Sequence, residues 1–483
     1  MNTPARRMYL AITVLFALLV LATAWWSVAR PESLADNALN RRSLLEEQRI
    51  KRGNIRAADG TLLARSVPGG AGTWVRRYTP EAEAFSHAIG YSFTTLGRAG
   101  LERERNDALI GETNELESFV DELLGREQVG RNVVTTLDPD GQRVALEQLA
   151  GRAGSVVAYE PDTGRVRVMA SVPGFDANAL RDADTFRRLN REPSSPLFNR
   201  ATQSAYPPGS TFKVVTAAAA LDSGRYTPDS VVNGDSPKEI SGVELANAGG
   251  RSYGDITLTT ALTNSVNTVF AQIGEDLGAE TMVRYMKRFG FYEDPPLDYP
   301  EQQMSPSGVR RDGRLVDGRF DVGRVAIGQG GQEGQMLVTP LQMAMVAGAV
   351  ANGGELVAPR LTERIVDRDG RTAERVEPET VRRVMSTRSA RELGVMMENV
   401  VREGTGTAAA LQGVDVAGKT GTAEKDIAAG VNQPWFIAYA PADDPKMAIA
   451  VTIERSVGGQ GGTEAAPIAR AVLQALLGEE AAG

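Results

Sequence analysis

The chain has 483 residues, of which 42% are hydrophobic and 24% are charged, and its net charge is −8. This length allows two or three globular domains, and the composition is not that of a disordered chain. The acidic balance without a long basic run argues against nucleic acid as a partner, and the absence of cysteine excludes disulfides, thiolate nucleophiles and cysteine-bound metals.

The first predicted element is the uncharged segment MYLAITVLFALLVLATAWWSVA at residues 8–29. About 22 residues suffice for a helix to cross a hydrocarbon core of about 30 Å. Two arginines precede the segment and two tryptophans lie near its far end, as expected at membrane interfaces. We therefore predict a cytoplasmic tail at 1–7, a single-pass anchor at 8–29 and a remainder outside the cytoplasm. A cleaved signal peptide is the alternative, because the ATA tripeptide has the spacing of a cleavage site.

A mixed, glycine-interrupted domain is predicted at residues 30–132. Its stretch KRGNIRAADGTLLARS has apolar residues on both sides of an Asp-Gly pair, which indicates a hairpin. NVVTTLDPDGQRVALEQLAGRAG then indicates a strand, a turn and an amphipathic helix, which lead into a second domain at 133–483. GSVVAYEPDTGRVRVMASV predicts a second hairpin with its turn at 161–164.

Helical periodicity dominates residues 205–400, with breaks at glycine and proline. Three predicted strands follow, VDVAGKTGTAE, PWFIAYAP and KMAIAVTIERS, and the amphipathic helix TEAAPIARAVLQALL closes the chain. This order predicts an α+β fold in which an antiparallel sheet carries helices on its face beside an all-helical lobe.

The helical region begins with AYPPGSTFKVV, which places Lys213 three residues after Ser210. Lysine is rare here, with seven examples among 53 basic residues. A helix that begins near Ser210 brings the amine close to the hydroxyl. A desolvated lysine can lose its proton near neutral pH and activate the serine, whereas arginine cannot. A helix cap followed by a solvated lysine is the alternative.

Ser265 and Asn267 form a second motif, Ser-Val-Asn, inside or at the end of a helical run. The hydroxyl could relay a proton and the amide could hold a substrate carbonyl, but a polar helix face is an equally simple reading. The single histidine, His87, lies far along the chain from every serine motif. The base that activates a serine is therefore expected to be another residue.

The third motif is AGKTGTAE at residues 417–424, between two predicted strands. Gly418 and Gly421 leave one edge of the backbone open, so an extended ligand could pair along it. Lys419 offers a positive charge and the threonines offer hydroxyl groups, which suits a carboxylate. A glycine-rich turn between strands is the alternative.

Together, Ser-x-x-Lys, Ser-x-Asn and Lys-Thr-Gly in this order resemble penicillin-binding proteins and β-lactamases. Three further stretches, RGNIRAADGTLLA (52–64), AIGQG (326–330) and VTPLQMA (338–344), extend the likeness over nearly the whole chain. The chain is similar to the membrane-anchored class B penicillin-binding proteins, above all to the shorter actinobacterial type called penicillin-binding protein A.

The resemblance implies roles for the motif residues. Ser210 would be the acylated nucleophile, Lys213 its base and Ser265 the relay to the leaving amine. The substrate-binding set would be Asn267, Lys419, Thr420, Gly421 and Thr422. The backbone N–H groups of Ser210 and Thr422 would form the oxyanion hole, and Lys419 would help to keep Lys213 neutral through like-charge repulsion.

The implied activity is a D,D-transpeptidase that cross-links peptidoglycan stem peptides ending in D-Ala-D-Ala during growth or division, without cofactor or metal. β-Lactams would acylate the same serine. Residues 30–132 are too few for a glycosyltransferase, so they would form a non-catalytic pedestal domain. A separate membrane glycan polymerase and other divisome or elongasome proteins would be partners. The alternatives are a β-lactam receptor, a scaffold that needs no turnover and a D,D-carboxypeptidase.

Overall fold

The computed structural model describes residues 3–25, 47–111, 128–331 and 333–478. Its first helix, α1 (Thr3–Ala24), begins before the predicted anchor, and the last part of that anchor, 26–29, lies outside the described residues. Within the described part of the chain, α1 is the one helix long and apolar enough to span a membrane. Its apolar side chains are exposed, with Leu15 at 67%, as expected for a surface that faces lipid.

Thirteen further helices are described, most of them short and all of them after residue 85. They are α2 (Ser86–Ile89), α3 (Leu101–Glu104), α4 (Asn106–Ile110), α5 (Pro139–Leu149), α6 (Ala183–Arg191), α7 (Arg200–Gln203), α8 (Lys213–Asp222), α9 (Leu258–Thr263), α10 (Asn267–Arg288), α11 (Val322–Ala326), α12 (Pro340–Ala351), α13 (Thr387–Arg402) and α14 (Ala466–Leu477).

The described strands fall into two six-stranded sheets and several small ones. They are β1 (Ile55–Arg56), β2 (Leu62–Gly70), β3 (Thr73–Tyr78), β4 (Ser92–Phe93), β5 (Gly97–Arg98), β6 (Asn132–Thr135), β7 (Gly154–Tyr159), β8 (Val166–Val172), β9 (Val231–Asn233), β10 (Lys238–Ile240), β11 (Val243–Leu245), β12 (Asp255–Thr257), β13 (Gly308–Arg311), β14 (Arg314–Leu315), β15 (Gly330–Gly331), β16 (Gly334–Leu337), β17 (Glu355–Val357), β18 (Thr362–Val366), β19 (Thr372–Arg375), β20 (Thr380–Arg383), β21 (Ala417–Asp426), β22 (Val431–Ala440), β23 (Met447–Ile453) and β24 (Ser456–Val457).

The N-terminal sheet has the order β19-β18-β6-β1-β2-β3. Strands β1 and β2 are antiparallel, with Ile55 opposite Ala64, and this pairing confirms the hairpin predicted around the Asp-Gly turn. Two of the strands, β18 and β19, come from residues 362–375, so the sheet joins distant parts of the chain. The boundaries at 29/30 and 132/133 stay predictions.

The central sheet has the order β21-β22-β23-β7-β8, and every pair in that order is antiparallel. Side chains alternate between its two faces. Ile437 and Tyr439 join the core shared with the helical region, whereas Phe436 and Ala438 join a second core with α5 and α14. The α+β fold, the 154–172 hairpin, the three late strands and the closing helix are therefore confirmed.

Helix α8 passes through the middle of this arrangement. Every residue from Lys213 to Leu221 is buried, and α8 packs against both α10 and α13. The run of four alanines at 217–220 lets these neighbours approach closely. The turn just before α8, residues 209–212, abuts β21, the edge strand of the central sheet, so the first and third motifs meet there.

Candidate active site

The chain turns sharply into α8 at the first motif. Residues Gly209–Phe212 form one turn of 3₁₀ helix, and the α-helix continues from Lys213. Side chains three apart eclipse each other in a 3₁₀ turn, so Ser210 and Lys213 share one side of the chain. Ser210 is half-buried, whereas Lys213 is fully buried. The predicted helix start near Ser210 is thus confirmed, with its first turn tighter than an α-turn.

Two of the stretches that carried the family resemblance hold this turn in place. Tyr206 and Val338 exchange two backbone hydrogen bonds of 2.9 and 2.8 Å. Gly209 N donates to Gly328 O at 3.1 Å, and a Cβ on Gly328 would lie 2.0 Å from Gly209 O. Any side chain at Gly328 would therefore displace the residue before the serine.

The second motif lies in a break between α9 and α10, with Ser265 in the left-handed region at φ 57°. Lys213 Nζ donates to Ser265 O at 2.7 Å and to Asn267 Oδ1 at 2.7 Å, and it lies 3.2 Å from Ser265 Oγ. Positive φ is uncommon for a residue other than glycine and carries a cost in strain. Here the conformation turns both oxygens of Ser265 toward one amine.

The third motif brings a second amine to the same hydroxyl. Lys419 Nζ donates to Ser265 Oγ at 2.8 Å and to Thr420 O at 3.0 Å. Lys213 and Lys419 are both 0% exposed. No ion pair joins either lysine to a carboxylate within the described ranges. Two buried amines therefore share one serine.

Burial is the main cause that holds the pKa of Lys213 well below its usual range, and the nearby charge of Lys419 lowers it further. Burial also lowers the pKa of Lys419, to about 7. The sequence predicted both desolvation and like-charge repulsion at Lys213, and burial is the larger of these two causes in the structure. An amine with a lowered pKa can exist as a neutral base near neutral pH.

Strand β21 approaches the serine turn closely at Gly421. A Cβ there would lie 2.7 Å from Pro208 O and 2.9 Å from Thr211 Cγ2, so only glycine fits. Thr422 Oγ1 accepts a hydrogen bond from Gly461 N at 3.2 Å. The backbone of Thr422 lies against the turn, because a Cβ on Gly209 would lie 2.8 Å from Thr422 O and 3.2 Å from Thr422 N.

Sequence reasoning missed Thr405. Its hydroxyl lies 2.6 Å from the hydroxyl of Thr420, and its backbone N donates to Thr263 O at 3.3 Å. Thr405 thus links β21 to the end of α9, just before Ser265. Gly404 has no room for a side chain, since a Cβ would lie 2.4 Å from Thr263 O. The Gly-Thr-Gly spacing in REGTGTA was the available signal.

The eight predicted site residues divide into two groups. Lys213, Ser265, Asn267 and Lys419 are joined by direct hydrogen bonds. The other four residues lie beside this cluster: Thr420, whose backbone O accepts from Lys419 Nζ, Gly421 and Thr422, which follow it on β21, and Ser210, on the turn that abuts that strand. Ser210 Oγ is not a partner of Lys213 Nζ among the bonds described for that amine.

Comparison with known proteins identifies the class of this site. The penicillin-binding protein transpeptidase domain matches residues 154–474, and the penicillin-binding protein A dimerisation domain matches residues 52–133. The chain belongs to the penicillin-binding protein transpeptidase family. The resemblance inferred from the motifs is thereby confirmed, and all eight predicted site residues lie inside the transpeptidase match.

Relatives of this penicillin-binding protein match it end to end. Peptidoglycan D,D-transpeptidase PbpA from Mycolicibacterium smegmatis is 35% identical over 99% of this chain and 100% of its own length. The protein of the same name from Mycobacterium tuberculosis is 34% identical over 99% of each.

Solved structures agree with this likeness. Penicillin-binding protein A from M. tuberculosis, as its ceftriaxone acyl-enzyme, superimposes with a TM-score of 0.80 and 33% identity over 90% of this chain and 100% of that one. The penicillin G acyl-enzyme of the same protein superimposes with a TM-score of 0.78 and 33% identity, over 89% of this chain and 100% of that one. The roles of single side chains stay predictions.

Proposed function

We propose that this chain is a membrane-anchored serine D,D-transpeptidase that cross-links peptidoglycan stem peptides ending in D-Ala-D-Ala. The relatives that match it end to end are named peptidoglycan D,D-transpeptidases, and the M. tuberculosis relative forms acyl-enzymes with ceftriaxone and penicillin G. The observation that carries the proposal is the convergence of Lys213 and Lys419 on Ser265, beside the turn that bears Ser210.

In the first step, Ser210 Oγ attacks the carbonyl carbon of the penultimate D-Ala, and its proton passes to Lys213. Two N–H groups of that amine donate hydrogen bonds, one to Ser265 O and one to Asn267 Oδ1. A neutral amine has only two N–H groups, so its lone pair remains for the serine proton. The backbone N–H groups of Ser210 and Thr422 stabilise the oxyanion.

Collapse of the intermediate breaks the peptide C–N bond and releases the terminal D-Ala. The leaving nitrogen takes the proton from Lys213 through the hydroxyl of Ser265. Because Lys419 Nζ donates to Ser265 Oγ at 2.8 Å, the proton of that hydroxyl is directed away from Lys419. The products of this step are an ester on Ser210 and a free amino acid.

In the second step, the amine of a neighbouring stem attacks the ester, loses its proton to Lys213 and restores the Ser210 hydroxyl. Water in place of the amine gives the D,D-carboxypeptidase reaction. A β-lactam enters by the first step alone and leaves a stable ester. Lys419, with the Thr420 and Thr422 hydroxyls, binds the terminal carboxylate, and Asn267 orients the peptide.

We further propose that the N-terminus is cytoplasmic and the catalytic region extracytoplasmic, supported by the arginines before the apolar part of α1. Residues 30–132 would be a non-catalytic pedestal domain and residues 133–483 the transpeptidase domain. A membrane glycan polymerase and other divisome or elongasome proteins are the expected partners, by analogy within the family.

Labelling with a fluorescent penicillin tests the nucleophile. Ser210→Ala should not label, and peptide mapping of the parent by mass spectrometry should place the adduct on Ser210. Ser223→Ala is the matched control, because Ser223 lies at the other end of α8 and its hydroxyl bonds only locally, to Ala220 O at 3.0 Å. Equal labelling of Ser210→Ala and the parent would contradict the assignment.

Product analysis separates the remaining alternatives. With a donor stem peptide and an acceptor amine, a transpeptidase yields the cross-linked product, whereas a carboxypeptidase yields only the shortened donor. A β-lactam receptor would be acylated but would turn over neither substrate. If the protein acted only as a scaffold, its Ser210→Ala variant would still restore growth of a strain depleted of the parent protein.

A further inference from the structure

A cavity of about 230 Å³ lies in the N-terminal region, far in sequence from the serine motifs. Its walls come from residues 47–52, from β3 and from the β4–β5 hairpin. We call it the arginine cavity, after Arg52, Arg76, Arg98 and Arg181, which line it. Residues 47–50 are the first ones described after the apolar N-terminal helix and Trp25.

Positive charge exceeds negative charge around the arginine cavity. Among the lining residues that the structure describes, Glu47 is the one carboxylate; it binds Arg98 and lies 3.5 Å from Arg52. Behind the wall, Glu102 is 0% exposed and accepts from Arg52 at 3.0 Å and from Arg76. Three of the four guanidinium groups therefore pair with two carboxylates, and Arg181 pairs with neither of them among the described contacts.

Part of the hydrogen-bonding capacity of these arginines is unused. Arg52 Nε, Arg76 Nη2 and Arg98 Nε are buried and have no hydrogen-bond partner among the described residues. A buried charged donor without a partner destabilises a fold unless another group satisfies it. Burial is the main cause that lowers the pKa of Arg98, and the neighbouring Arg52 guanidinium lowers it further, whereas nearby carboxylates, Glu47 foremost, raise it.

The other wall groups suit an oxyanion. Ser92 and Thr95 supply hydroxyl groups, and Trp74 supplies an aromatic wall. Guanidinium groups and hydroxyls are the usual protein ligands of phosphate oxygens. We propose that the arginine cavity binds a phosphate group, either free in solution or on the head group of a membrane lipid. Its place beside the first residues after the apolar helix allows both sources.

Calorimetry on the full-length chain in neutral detergent tests this proposal with two probes. Inorganic phosphate, titrated against chloride at constant ionic strength, should bind with a Kd of about 1 mM or tighter. Dihexanoyl phosphatidic acid, compared with dihexanoyl phosphatidylcholine, is the lipid probe. Binding of both probes supports the shared chemistry, and binding of the lipid alone assigns the phosphate to a head group.

Variants locate the binding. Arg98→Gln should weaken it about tenfold or more, since a charge-assisted contact is lost. Arg181 also lines the cavity and is exposed, so Arg181→Gln should leave the fold intact. This variant should also weaken phosphate binding. Arg77→Gln is the matched control, because Arg77 lies on β3 beside Arg76 but is exposed and outside the cavity.

Absence of saturable binding by both probes overturns the proposal, and so does an equal loss in Arg77→Gln and Arg98→Gln. Fluorescent-penicillin labelling of Arg98→Gln should equal that of the parent. That readout establishes that the variant is folded, and it keeps the phosphate proposal separate from the transpeptidase proposal.

Discussion

Replacing Lys213 with arginine places a permanent positive charge at the start of α8 and removes the nitrogen lone pair that accepts the serine proton in the proposed reaction. The Lys213 amine is 0% exposed, and two carbonyl-type oxygens at 2.7 Å already take two of its protons. Arginine presents five N–H donors and does not lose a proton in proteins. Lys213→Arg should therefore bind a β-lactam but acylate very slowly.

The size of the effect follows from the role of a general base. Such a base contributes about 10²–10⁴-fold to a rate, which corresponds to about 3–5 kcal/mol in the activation barrier. Because Lys213 is fully buried, water has no access to replace it, so we expect the upper half of this range. The larger guanidinium also overpacks the site, and this costs about 1–3 kcal/mol of folding stability.

The assay is the second-order rate constant for acylation by a fluorescent penicillin, measured with a thermal unfolding curve for each variant. Lys213→Met removes the base at similar side-chain length and should lose a similar factor. Lys238→Arg is the matched control, since Lys238 bonds Asn233 O and Gln272 away from the site, and it should acylate like the parent.

Acylation of Lys213→Arg within about threefold of the parent rate would refute the reasoning, because a factor that small is under 1 kcal/mol in the barrier. A large loss in Lys213→Arg with normal acylation by Lys213→Met would refute it too. In that case the guanidinium would act by its bulk and not through the missing lone pair.

Three further predictions follow from the described contacts. Burial lowers the pKa of Lys419 to about 7, and its ammonium form is the one that binds the substrate carboxylate, so kcat/KM should fall above about pH 7. Lys419→Arg should remove this fall from the pH profile. A fall that is unchanged in Lys419→Arg would contradict the assignment. Burial lowers the pKa of His87 from 6.5 to about 4, so the unfolded chain takes up this proton at a higher pH than the folded chain does. As pH falls from 6.5 to 4, the free energy of unfolding should therefore drop by about 3 kcal/mol. His87→Gln can still donate to Pro196 O, as His87 Nε2 does at 2.9 Å, and denaturant titrations of this variant should not show the drop. Thr405→Val removes the hydroxyl that lies 2.6 Å from that of Thr420 and should raise KM about tenfold with little change in kcat. Thr405→Ser keeps a hydroxyl and should keep the parent KM. Equal KM values for the two variants would contradict a positioning role.

The site was largely predictable because its chemistry depends on short local patterns. A lysine three residues after a serine, behind a Pro-Pro-Gly break, indicated the turn that the structure shows. The glycines of the third motif were expected to leave a backbone edge open to an extended ligand, and that pairing stays a prediction. The approach of Gly421 to the serine turn, where a Cβ would lie 2.7 Å from Pro208 O, did not follow from neighbouring residues.

The contacts that were not predictable are between residues distant in sequence. No local pattern shows that the backbone carbonyl of Ser265 would accept from Lys213, because this depends on the positive φ at Ser265. The contact of Thr405 with Thr420 joins a loop to a strand across the end of α13. Likewise, β18 and β19 enter the N-terminal sheet from residues 362–375, which no linear division of the chain anticipates.

The pairing of two lysines in one buried site separates binding of the substrate carboxylate from activation of the serine. A buried charge without a partner costs several kcal/mol, so the empty site favours neutral amines, and the lowered pKa values of Lys213 and Lys419 express this cost. A terminal carboxylate beside Lys419 would stabilise its ammonium form. Burial and that charge both lower the pKa of Lys213, so the proton acceptor is neutral before the ligand arrives and stays neutral beside the ammonium group. A ligand without the carboxylate should therefore bind more weakly, because Lys419 has no anion to pair with, and should acylate at a similar rate at equal occupancy.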